Sequence, residues 1–179
     1  MNLFVTGVAG QLGFDVVNEA TKRGHKVIPS DVIVPHFSEW DTHHPAFHQL
    51  DITDRDAVLK TMELYKPDAI IHCAAWTAVD AAEDEENQAK VDAINHLGTQ
   101  YIAEAAKAID AKMIYISTDY VFDGQGTDPW KPDCKDYAPL NVYGQSKLDG
   151  ELAVAGILDK YFIVRIAWVF GLNGDYSGS

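Results

Sequence analysis

Cationic side chains are scarce: 14 lysines and arginines stand against 27 aspartates and glutamates in 179 residues, a formal net charge of −13. That balance excludes nonspecific attraction to nucleic acid or to an anionic membrane surface. A polyanionic ligand must be gripped by local donors that work against the global field. Cysteine is scarcer still. Cys73 and Cys134 lie far apart with no CxxC pair, which reads as free thiols in a reducing cytosol and so as a cytoplasmic protein. No stretch approaches the roughly 18 unbroken apolar residues of a membrane span. The segment Met1-Asn2-Leu3-Phe4-Val5-Thr6-Gly7 has neither a basic flank nor a long apolar region, so no secretory signal is expected.

Internal repeats, low-complexity tracts and Pro/Gly/Ser linkers are absent too, and one continuous domain over residues 1–179 is expected. The composition is that of a globular chain, 47% hydrophobic and 23% charged. A chain of this length buries roughly 70% of its unfolded surface without help from disulfides or a structural metal.

Short β-rich runs alternate with segments of helical period, the pattern of βαβ units around a parallel sheet. Strands are expected at Asn2–Thr6, Lys26–Ser30, Ala46–Leu50, Ala69–Ala74, Lys112–Ser117 and Phe162–Ala167. Several are apolar almost throughout, as strands covered on both faces should be. Leu12, Val16, Val17 and Ala20 mark one helix face, and Val58, Met62 and Tyr65 a second. Thr53 and Asp56 have capping-box spacing at the start of that second helix. Val91, Ile94, Gly98, Ile102, Ala105 and Ile109 stripe a third, and Tyr137–Ala155 holds a fourth that begins just after Pro139. The stretch Val32–Pro45 has two prolines and no period, so a loop replaces the expected crossover helix.

Gly7-Val8-Ala9-Gly10-Gln11-Leu12-Gly13 is a GxxGxxG between the first strand and the first helix. Glycine permits the tight turn, lets backbone approach a pyrophosphate, and leads into a helix N-terminus rich in N–H donors. Asp31 ends the second strand roughly 20 residues on, where a carboxylate accepts hydrogen bonds from an adenosine ribose. The same carboxylate repels a 2′-phosphate, and no arginine follows it, so NADH is favoured over NADPH. Asp51-Ile52 closes the third strand, where either adenine contact or a plain helix start beside a core isoleucine fits.

Tyr143 and Lys147 fall at i and i+4 on one helix face. A free phenol titrates near 10, and a neighbouring ammonium is expected to bring that value down toward a useful one. Ile116-Ser117-Thr118-Asp119 ends a strand at the carboxyl edge of the sheet, where a hydroxyl can polarise a substrate carbonyl. Together with a hydride donor these groups make a carbonyl reductase site.

Gly7–Gly13, Ser117-Thr118-Asp119-Tyr120-Val121-Phe122-Asp123-Gly124 and Pro139-Leu140-Asn141-Val142-Tyr143-Gly144-Gln145-Ser146-Lys147 resemble the extended short-chain dehydrogenase/reductases. Within them they are similar to the dTDP-4-dehydrorhamnose reductase family, as are Ala74–Glu83 and Arg165–Gly171. The expected fold is a doubly wound α/β domain, Rossmann-like, with strand order 3-2-1-4-5-6. The resemblance implies reduction, by NADH or NADPH, of the 4-keto group of dTDP-4-dehydro-L-rhamnose, a nucleotide sugar. It implies Thr118, Tyr143 and Lys147 as the catalytic trio, with Tyr143 protonating O4 and Lys147 also holding the nicotinamide ribose. Asp119 and Trp168 would join Thr118 at the sugar. Tyr120 is a further sugar contact or an apolar packing residue. Gly7, Gly10, Gln11, Leu12, Gly13, Asp31, Asp51, Ile52, Ala74, Ala75 and Trp76 would line the cofactor. A Mg²⁺ ion and a homodimer enter through the resemblance alone, with no residue assigned to either.

The chain departs from the family pattern in the histidine-rich Val32–Pro45 stretch and in ending just after the Trp168 strand, so the later substrate-binding part is not expected here. Two other readings stand beside the reductase: a non-catalytic binding subunit like the regulatory subunit of methionine adenosyltransferase, and a sugar-nucleotide epimerase. The complete trio speaks against the first, and the Ser117–Gly124 block against the second. His43, His44 and His48 lack a matching ligand set, and Pro45 breaks any helix that would align them, so no metal is expected. Glu83-Asp84-Glu85-Glu86 reads as a solvated helix start. Asn95 either bridges a buried backbone group near the catalytic residues or is an ordinary surface asparagine.

Overall fold

Alternation along the first strand sets the two sides of the fold. In Asn2–Thr6 (β1), Leu3 and Val5 join one apolar cluster while Phe4 joins the other, as a period of two requires. The computed structural model describes residues 1–34 and 47–170. The remaining strands are Lys26–Asp31 (β2), His48–Gln49 (β3), Ala69–His72 (β4), Lys112–Thr118 (β5) and Tyr161–Ile166 (β6). All pair in parallel, in the order β3-β2-β1-β4-β5-β6, as expected of the doubly wound fold.

The helices are Gln11–Lys22 (α1), Arg55–Tyr65 (α2), Glu85–Asp92 (α3), Thr99–Ala108 (α4) and Val142–Ile157 (α5). Val17 and Ala20 of α1 pack with Leu3, Val5 and Val27 on one face. Val58, Met62, Ile102, Ala105 and Val154 of α2, α4 and α5 pack on the other, against Phe4, Ile70, Met113 and Tyr115. Each large apolar side chain fully buried there contributes about 1.5–3 kcal/mol. The covering is one-sided at β6. Phe162 is 71% exposed, so the expectation of strands covered on both faces fails at that edge.

Several boundaries differ from the sequence reading, each for a local reason. The second helix starts from Asp54, whose Oδ1 accepts the Ala57 N–H at 3.0 Å. Thr53 instead turns its N–H and hydroxyl onto Asp51 Oδ1, at 2.9 and 2.7 Å. Helix α5 begins at Val142, later than expected, because Asn141 caps it: its Oδ1 takes the Gly144 N–H at 2.6 Å. The third expected helix is α3 and α4 joined by a π-helical turn over Ala93–Gly98, which carries Asn95 into the interior. Strand β3 is only two residues long, and Ala46 and most of the Val32–Pro45 stretch lie outside the described residues. No helix among the described residues is long and apolar enough to cross a membrane.

Candidate active site

The carboxyl ends of all six strands open onto one cavity of about 1090 Å³. It runs from the glycine turn after β1 to Trp168 beyond β6 and takes in Thr118, Tyr143 and Lys147 on the way. This is the crevice in which a doubly wound sheet binds its ligand.

The glycines divide their work. A Cβ at Gly13 would lie 2.1 Å from the Gly7 carbonyl oxygen, and one at Gly7 would lie 2.5 Å from Ala74 N, so these two let the turn pack on helix and sheet. Gly10 is open toward the cavity, with Gly7 O at 3.4 Å the nearest atom to such a Cβ. The start of α1 therefore meets the cavity as bare backbone at Gly10, followed by Gln11 and Leu12. Asp31 also lines the cavity while bracing this turn: Oδ2 accepts the Ala9 N–H at 2.9 Å and Oδ1 the Ile33 N–H at 3.2 Å. Each oxygen keeps a further lone pair for a ribose hydroxyl. Asp51 and Ile52 combine their two readings. Both border the cavity, the aspartate holds the Thr53 turn, and the isoleucine is buried against Gly98.

Ala74 and Ala75 lie on the cavity wall, but Trp76 is not among its lining residues. Its backbone N–H donates to Asn95 Oδ1 at 2.8 Å, and its indole N–H donates to Ala78 O at 2.9 Å. Asn95 is fully buried and bridges. Its amide nitrogen donates to Trp76 O at 3.1 Å and to Ser146 Oγ at 3.0 Å, tying the loop after β4 to the first turns of α5. Of the two readings of Asn95, the bridging one describes it. Glu83 is another tie the sequence hid inside a charge run. Its Oε1 accepts the Val142 N–H at 2.7 Å, at the N-terminus of the helix that carries Tyr143.

Thr118 ends β5, its Oγ1 accepting the Tyr120 N–H and donating to Asp119 Oδ1, each at 3.2 Å. Its hydroxyl also hydrogen-bonds Tyr143, which lowers the phenol's pKa, but burial outweighs this and holds the phenol above its ordinary value. Lys147 is buried, donates from Nζ to Ile116 O at 2.7 Å, and is pulled down by burial to about 7. The expected lysine-driven fall of the phenol is thus not found; desolvation dominates both groups. Asp119 and Tyr120 border the trio without lining the cavity, the Tyr120 ring standing edge-on to Tyr143 at 5.8 Å. Trp168 lines the mouth and is 85% exposed.

Three buried polar side-chain atoms on this wall lack a hydrogen-bond partner: Gln11 Nε2, Ser30 Oγ and Ser117 Oγ. All three belong to residues that line the cavity, and each atom is itself closed off from solvent. Ser30 and Ser117 were not singled out in the sequence reading; each is the neighbour of a residue that was. Elsewhere, His48 places both ring nitrogens on protein partners, Thr61 Oγ1 at 3.1 Å and Tyr65 OH at 3.2 Å. His43 and His44 lie outside the described residues.

Residues 1–177 match the family model described as RmlD substrate binding domain. The chain is 38% identical over 177 residues to a probable low-salt glycan biosynthesis reductase, Agl14, of Haloferax volcanii, covering 99% of this chain and 56% of that one. It is 37% identical over 174 residues to a dTDP-4-dehydrorhamnose reductase of Aggregatibacter actinomycetemcomitans, covering 97% and 53%. Among solved structures, dTDP-4-dehydrorhamnose reductase of Bacillus anthracis in complex with NADP superposes with a TM-score of 0.83 at 36% identity, covering 97% of this chain and 56% of that one. The chain spans about half the length of the curated relatives it matches. With its parallel sheet, its glycine turn and its Thr118–Tyr143–Lys147 constellation, the chain belongs to the RmlD substrate binding domain family.

Proposed function

We propose that this chain is the cofactor-binding, proton-donating portion of an NAD(P)H-dependent ketoreductase that acts on a 4-keto-6-deoxy nucleotide sugar of the dTDP-4-dehydro-L-rhamnose type. One observation carries the reading: Thr118, Tyr143 and Lys147 border the same cavity that begins at the glycine turn. The named relatives, two of them reductases of dTDP-4-dehydrorhamnose, support it.

The backbone at Gly10–Leu12 would hold the cofactor pyrophosphate, Asp31 the adenosine ribose, and Ala74, Ala75, Asp51 and Ile52 the adenine side. A bound reduced nicotinamide supplies the hydride that the chain's own residues cannot. Tyr143, a phenol that is neutral at physiological pH and that burial keeps so, donates its proton to the developing alkoxide at O4. Thr118 hydrogen-bonds the same oxygen, and the Lys147 ammonium steadies the phenolate until solvent returns its proton. The ketone becomes a secondary alcohol, with one hydride and one proton taken up. Asp31, a lining residue of the cavity, supports NADH as the preferred donor, and Trp168 offers a face for the sugar.

The test is oxidation of NADH and NADPH by the chain with dTDP-4-dehydro-L-rhamnose, beside the Tyr143→Phe variant. Turnover is expected to fall by at least about 100-fold in the variant; equal turnover would remove Tyr143 from the reaction.

A further inference from the structure

Tyr115 is fully buried next to Lys147 and has no role in the chemistry above. Its ring takes the Lys147 ammonium 4.3 Å from the centroid. Its hydroxyl donates to the Lys147 carbonyl oxygen at 3.3 Å. Gly150, one turn further along α5, makes the space: a Cβ there would lie 2.5 Å from the Tyr115 hydroxyl oxygen and 2.7 Å from the Asn95 carbonyl oxygen. The ring also stacks on His72 at 5.8 Å, and His72 is itself held between Thr6 Oγ1 at 2.7 Å and Thr99 Oγ1 at 3.1 Å. Strand, helix and lysine thus meet at one aromatic ring.

A buried ammonium needs compensation, and the ionisable groups around it supply little. From the end of β4, the Cys73 thiol is pushed up to about 12 and the His72 imidazole down to about 3 by burial, so both are neutral at physiological pH. On α5 the Tyr143 phenol is neutral, while the Glu151 carboxylate attracts Lys147 through space but is bonded to Arg165 at 2.8 and 2.7 Å. What remains in contact is the Ile116 carbonyl and the negative face of the Tyr115 ring.

We infer that Tyr115 is a positioning residue for the reductase site, its ring holding the Lys147 ammonium at the cavity wall and its hydroxyl setting the height of α5 at that turn. The inference rests on the proposed function for the reaction it serves, and on packing alone for the placement of the lysine. The experiment is a side-chain NMR titration of ¹³C,¹⁵N-lysine-labelled chain, with the Lys147 signal identified by its loss in Lys147→Met. Tyr115→Leu should move the Lys147 midpoint down by roughly 0.5–1.5 units, the range of one cation–π contact from exposed to desolvated. Tyr115→Phe, which keeps the ring, should move it by less than about 0.3 unit. The alkaline limb of turnover should shift with the midpoint in Tyr115→Leu. If Tyr115→Leu does not fold, 3,4,5-trifluorophenylalanine in place of Tyr115 weakens the ring's negative face at nearly constant shape and should lower the midpoint relative to Phe. A midpoint that is unmoved or raised, or a rate limb that stays fixed while the midpoint moves, overturns the inference. Failure of the reductase reading shows itself separately, as turnover indifferent to Tyr143→Phe.

Discussion

At the scale of single residues, the chemistry turns on two groups that burial pushes in opposite senses. The phenol of Tyr143 is raised, which keeps it a proton donor, while the ammonium of Lys147 is lowered to about 7. If the charged lysine is the form that steadies the phenolate, turnover falls as pH rises through about 7, and a pH–rate profile at saturating cofactor should show that limb. A profile flat to the titration range of a free phenol would contradict it. Asp31 carries a separate expectation. The ratio of kcat/KM for NADH over NADPH should exceed one, and Asp31→Asn should lower that ratio by relieving repulsion of a 2′-phosphate. That Thr118, Tyr143 and Lys147 share one cavity was legible because a strand end and an i, i+4 helix face meet at the carboxyl edge of the sheet. Asn95 was legible only as an alternative, since nothing in an amide's neighbours tells whether a π-helical turn will carry it inward. The direction of the Tyr143 shift was not legible at all: it depends on how much water the fold removes, which spacing does not record.

At the scale of elements, the glycine turn and the start of α5 do the positioning. Gly13→Ala forces a Cβ to within 2.1 Å of the Gly7 carbonyl oxygen. The variant should lose about 1–3 kcal/mol in thermal unfolding and should no longer quench or enhance bound NAD(P)H fluorescence in titration. At α5, Glu83→Ala removes the carboxylate that accepts the Val142 N–H, at a cost of about 0.5–1.5 kcal/mol by denaturant unfolding. The alternation of strands and helices could be read from periodicity, but the split of the third expected helix into α3 and α4 and the shortness of β3 could not. Local hydrogen-bond competition was harder to read: Asp54 takes the cap expected of Thr53, and Asn141 delays the start expected just after Pro139, because their side chains reach a free N–H. The burial pattern of α5 was hidden for a related reason. It turns Ser146, Lys147 and Glu151 inward, where an apolar stripe would ordinarily mark the buried face.

At the scale of the whole molecule, a buried histidine couples the sheet to pH. His72 is neutral in the fold, with its pKa depressed from 6.5 to about 3 by burial, so its stabilising state is fully present above pH 6.5 and is lost as pH falls toward 3. Melting temperature should decline over that window, and less steeply in His72→Gln, whose amide can still bond Thr6 and Thr99. The acidic surface, net charge −13, makes the cavity's backbone donors the local exception that an anionic cofactor must find. Binding should therefore tighten with added salt until screening of the surface is complete. Topology was legible at this scale because βαβ alternation points to a parallel sheet and the family resemblance implies its doubly wound strand order. The exposed face at Phe162 was not, since an apolar strand looks the same whether one side or both are covered. The central claim is that a phenol and an ammonium face the nicotinamide across the cavity that starts at Gly7–Gly13. A crystal structure of the chain with NADH bound tests it most directly. The Tyr143 oxygen and Lys147 Nζ are expected at the nicotinamide end of the cofactor. A cofactor seated with those two groups turned away from it would contradict the account.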